Sequence, residues 1–99
     1  MNEELKEVFE NLVELYKARK FADLKNALLD LECVDIAIFI EEEFDEEHDK
    51  VRVFRLLPKD IASDVFVEFD TDTQQMFIKA FTDKELKAVI QDKIGRAHV

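Results

Sequence analysis

The sequence predicts an all-α fold, a superhelical, solenoid-like array of short stacked helices, and three observations carry that expectation. One Gly and one Pro among 99 residues leave little turn chemistry, whereas an all-β domain turns about every 8 to 12 residues. Apolar residues in the first third of the chain recur at helical spacing. From Cys33 onward, residues suited to a helix start return at intervals of twelve or thirteen positions, a period that suggests stacked repeats.

The elements follow in order. Asn2 is placed to cap a first helix, with Glu3 and Glu4 where the dipole of its first turn favours negative charge. Leu5, Val8, Phe9, Leu12, Leu15 and Tyr16 form its apolar face, and Lys17, Arg19 and Lys20 close it with positive charge. Phe21, Leu24, Ala27 and Leu28 mark a second helix. Then come CVDIAIFIEEEF, DEEHDKVRVFRLL, PKDIASDVFVEF, DTDTQQMFIKAF and TDKELKAVIQDK, four units of twelve residues and one of thirteen. Pro58 opens the third unit, where its fixed φ suits a helix start and its missing N–H costs nothing. The eighth and ninth positions of the last three units are Val65-Phe66, Phe77-Ile78 and Val89-Ile90. Phe69 and Phe81 close two of those units and Lys93 breaks the rule. These positions share one helical stripe. The alternating DIAIFI and VFVEF also suit strands, but hairpin residues are missing between units, and a unit of eight or nine helical residues plus a short link fits the spacing better. A helix that short cannot bury its stripe alone, so consecutive ones stack.

Composition narrows the function. A chain of 99 residues with 47% apolar content is one small globular domain, able to bury roughly two thirds of its unfolded surface. Its 24 acidic against 14 basic residues give a formal charge of −10, which repels nucleic acid and anionic membranes and favours cations or basic proteins. A lone Cys33 makes no internal disulfide and suits a reducing compartment. The acidic, amphipathic N-terminus is no targeting peptide, and no run approaches the roughly 20 apolar residues of a membrane span. The expectation is a soluble, cytoplasmic domain without direct membrane contact.

The segments VDIAIFIEEEF and VFRLLPKDIASDVFVEFDTDTQQMFIKAFTDKELK, with the helix pair before them, resemble the cytosolic N domain of MgtE-type magnesium transporters. The likeness covers residues 1–93. One departure is the first repeat, where the family's HPxDIA start is Glu32-Cys33-Val34-Asp35-Ile36-Ala37. The resemblance implies a regulatory domain of a homodimeric transporter. Such a domain works with paired CBS domains of the same chain to sense cytosolic Mg²⁺ and close the pore when it is plentiful. It also implies that Asp64 matches an acidic residue contributing to Mg²⁺ binding. The family's further ligands belong to an LDD--D helix. Here residues 94–99 read IGRAHV instead, which back-translates as ATC GGA AGA GCA CAC GTC and matches a sequencing adapter followed by a stop. Residues 94–99 are therefore expected to be a non-native tail on an incomplete domain, with weak Mg²⁺ binding that needs the CBS domains.

The remaining chemistry is sparse. Glu41, Glu42, Glu43, Asp45, Glu46, Glu47 and Asp49 place seven carboxylates in nine residues, a pattern that suits a hard cation but reads first as a solvated link between helices. DTDTQQ lacks the Gly and the final Glu of an EF-hand loop, and a helix cap accounts for Asp70 and Thr71. Cys33 and His48 have no neighbouring zinc ligand, His98 lies in the tail, and Ser63 lacks a nucleophile-elbow context. Nothing points to an enzyme. Most of the nine phenylalanines sit at core positions of the repeat. The alternative reading is a helical protein-interaction scaffold, like the middle domain of the flagellar motor switch protein. The EHPQ motif of that domain would fall where this chain has Leu31-Glu32-Cys33-Val34.

Overall fold

The computed structural model describes residues 3–81. They form six α-helices and no strand: α1 (Glu3–Lys17), α2 (Phe21–Leu28), α3 (Cys33–Glu43), α4 (Glu47–Arg55), α5 (Lys59–Phe66) and α6 (Thr71–Ala80). The all-α expectation holds for these residues. The Asn2 cap, the fifth repeat unit with Val89, Ile90 and Lys93, and the tail 94–99 lie outside them.

The helix starts follow the repeat closely. Pro58 and Asp70, which open the third and fourth units, are the N-cap residues of α5 and α6. Pro58 thus stands one position earlier than a first helical residue: its φ of −59° suits a helix, but its ψ of 154° is extended. Its carbonyl already accepts the first bond of α5, from the Ala62 N–H at 2.8 Å. The second unit starts later than the repeat suggests, because buried Phe44 occupies the link and α4 begins at Glu47.

Helix ends without glycine find other solutions. Arg19 takes the left-handed conformation (φ 62°) after α1. Its N–H donates to the Tyr16 carbonyl and that of Lys20 to Leu15, both at 3.0 Å, which is the bond pair of a Schellman motif. Later helices borrow a side chain from the next element. Lys50 Nζ of α4 donates to the Glu41 carbonyl at 2.9 Å, and Gln74 Nε2 of α6 donates to the Phe66 carbonyl at 3.0 Å. The first bond satisfies a carbonyl in the last turn of α3, and the second adds a donor to the Phe66 carbonyl, which also accepts the Phe69 N–H at 3.2 Å.

Packing explains why DIAIFI looks like a strand and is a helix. α3 contacts α1, α4 and α5, so Ile36, Ala37, Phe39 and Ile40 are all buried and α3 shows little polar face. α1 also packs on α2, and α4 on α6. The nine phenylalanines build two linked aromatic groups. Phe9, Phe21, Phe39 and Phe44 meet around Tyr16, and Phe54, Phe66, Phe69, Phe77 and Phe81 meet farther along the chain. All are buried except half-buried Phe21, so they are core as expected. The apolar stripe needs one correction. Val65, Phe66, Phe69, Phe77 and Phe81 are buried, but Ile78 is 45% exposed, because Phe77 alone turns α6 inward at that point.

Candidate functional site

Asp64, the residue the resemblance assigns to Mg²⁺, lies in the last turn of α5 and is half-buried. Local packing sets its orientation. Ser63 beside it is buried and its Oγ donates to the Lys59 carbonyl at 3.0 Å, so the hydroxyl is satisfied within the helix. Val65 and Phe66 point into the core, which holds α5 in one rotational setting and puts the Asp64 carboxylate at the boundary with solvent.

The acidic run from Glu41 to Asp49 bridges α3 and α4. Most of it is exposed, including Glu42, Glu43, Asp45, Glu46 and Glu47, as a solvated link requires. Two of its carboxylates have structural partners that sequence spacing does not reveal. Glu41 Oε2 accepts from the Asp70 backbone N–H at 2.9 Å, tying the end of α3 to the start of α6. Asp49 Oδ1 accepts the Tyr16 hydroxyl of α1, and His48 Nε2 lies 3.4 Å from the same oxygen. Burial, followed by the Asp49 hydrogen bond, raises the Tyr16 pKa above its ordinary value of 10.0. These partners are 29 and 33 positions apart, too far for any local signal.

Asp70 behaves as the sequence suggests. Its Oδ1 accepts the Thr73 N–H at 2.8 Å, capping α6. That backbone bond is the main reason its pKa falls below the ordinary 3.8. An N-cap role therefore accounts for the carboxylate without a metal.

A second concentration of carboxylates went unrecognised in the sequence. Glu7, Glu10 and Glu14 lie on one face of α1 and meet Glu43 from the end of α3 around a cavity of about 560 Å³. Their spacing along α1 was visible, but only folding brings Glu43 beside them. Among the described residues, no group of three or more His, Cys, Asp or Glu side chains is gathered closely enough to hold a metal ion. Asp64 still fits as a single contributor, because Mg²⁺ keeps several waters and takes only one or two protein carboxylates at many sites. It cannot be a complete chelating set with its described neighbours.

None of the described helices is long and apolar enough to cross a membrane. Comparison with known proteins gives one result of weight: the family model of the MgtE intracellular N domain matches residues 31–92. The matched span includes α3 to α6 and both Asp64 and the acidic link, while α1 and α2 precede it. No curated protein and no solved structure matches the chain. With well over half of its length matched by that model, the chain belongs to the MgtE intracellular N domain family.

Proposed function

We propose that this chain is a regulatory, cytoplasmic domain of a magnesium channel or transporter, not an enzyme, and that it acts by changing its association with CBS domains as Mg²⁺ changes. The observation that carries the reading is the family match over residues 31–92. The charge distribution supplies a mechanism. A domain of charge −10 facing acidic partner domains is repelled at low Mg²⁺ and stands apart. At high Mg²⁺, cations bridge the facing carboxylates, with Asp64 contributing one oxygen from α5, and the associated state gains population. That state favours the closed pore of the homodimeric transporter.

The ion would bind weakly to this chain alone, since Asp64 brings no described carboxylate cluster with it. The exposed link and the α1 carboxylates add a diffuse negative potential, which concentrates cations without fixing them. The test is association of the chain with a paired-CBS protein from the same family, followed by analytical ultracentrifugation. Complex should form in millimolar MgCl₂, dissociate in EDTA, and weaken in Asp64→Asn. Equal association with and without Mg²⁺, or no association in either, contradicts the reading.

A further inference from the structure

α1 is the longest of the described helices, yet only Phe9 and Leu12 of its residues are buried. It precedes the span matched by the family model, so the match assigns no role to its outward face. Charge on that face is segregated. Glu7, Glu10 and Glu14, spaced three and then four apart, lie on one stripe and surround the cavity of about 560 Å³ together with Glu43 of α3. Lys17, three positions beyond Glu14, continues the stripe, and Arg19 and Lys20 follow in the turn to α2. All of these charged side chains are exposed, and among the described residues none of them is held in an ion pair. The two Schellman bonds at Arg19 and Lys20 give the basic end a defined backbone.

We propose that this face binds a second copy of the chain, with the two α1 helices antiparallel about a two-fold axis. Adjoining patches of opposite sign are self-complementary under such an axis. The basic end of each copy then lies on the acidic stripe of the other, and both contacts form together. Charge complementarity argues for this occupant, because the chain itself carries both halves, in the order that an antiparallel partner needs. From Glu7 to Lys20 the face spans about 20 Å, which leaves room for the two contacts side by side. Antiparallel alignment also sets each helix dipole against its opposite. Exposed ion pairs are individually weak, so the contact depends on several at once. A net charge of −10 opposes approach from a distance and keeps the dimer weak. The contact uses neither Mg²⁺ nor Asp64, so it goes beyond the Mg²⁺ reading.

The test is sedimentation of the full chain over rising concentration, in EDTA and about 0.15 M NaCl. There a Debye length of about 8 Å screens repulsion between whole chains more than it screens touching charges. A monomer–dimer equilibrium should appear. K17E/R19E/K20E and E7K/E10K/E14K should each weaken it about tenfold or more when alone. Mixed in equal amounts, these two variants should restore the dimer, since each contact again joins opposite charges. The summed charge of the mixed pair equals that of the wild-type pair, so overall repulsion does not explain the rescue. Circular dichroism of each variant separates lost association from lost fold. A wild-type chain that stays monomeric, a dimer unaffected by either folded variant, or a mixture that stays monomeric overturns the proposal. A dimer that forms only with MgCl₂ present also overturns it. D64N should dimerise as the wild type does, so failure of Mg²⁺-dependent CBS association with this dimer intact overturns the Mg²⁺ reading alone, and the converse overturns only the α1 contact.

Discussion

Arg19 shows how a chain almost without glycine ends its first helix. A non-glycine residue at φ 62° bears a steric cost of about 1–2 kcal/mol, accepted here because the Schellman bonds need that conformation. Arg19→Gly should therefore stabilise the fold by about 0.5–1 kcal/mol after the extra chain entropy of glycine is subtracted, read as a higher urea midpoint. Asp70 makes a prediction of the opposite kind. Its folded pKa lies below 3.8 because the Thr73 N–H favours the carboxylate. It thus contributes stability that is complete above 3.8 and disappears as pH falls through the lower folded value. Asp70→Ala should lower the unfolding temperature at neutral pH and lessen its further decline in acid, and an unchanged acid limb would contradict this. The Asp70 cap was legible because capping is local, an Asp three positions before the N–H it binds. The Tyr16–Asp49 and Glu41–Asp70 bonds were not, because nothing in the residues near each partner specifies the other.

At the scale of the element, short helices were readable from their starts and less so from their faces. Asp70 marks its boundary to the residue and Pro58 to within one position, since the first has a side-chain preference for the N-cap and the second a backbone preference for the first helical turn. Faces depend on what packs against them. Position eight of the fourth unit is Phe77, fully buried, and position nine is Ile78, 45% exposed, although both are apolar in the sequence. α3 shows the reverse case, where contacts with α1, α4 and α5 bury so much of the helix that its pattern imitates a strand. The contrast is measurable by chemical denaturation. Phe77→Ala should cost about 3–5 kcal/mol, as removal of a fully buried aromatic ring does, whereas Ile78→Ala should change stability by no more than about 0.5 kcal/mol. Comparable losses in the two variants would restore the simple stripe and contradict the burial seen in α6.

For the whole molecule, fold class and family were accessible early because both rest on features distributed along the chain: the repeat, the scarcity of glycine, and the segments from Val34 to Lys87. The candidate site was less accessible, since a single half-buried carboxylate, Asp64, leaves no dense motif. We propose a domain that meets Mg²⁺ weakly at α5. An NMR titration of the ¹⁵N-labelled chain with MgCl₂ tests that claim most directly. The account predicts fast-exchange shifts centred on Asp64 and the end of α5, growing steadily through the millimolar range and absent from Asp64→Asn. Unmoved α5 resonances, or tight shifts confined to the run from Glu41 to Asp49, would contradict it.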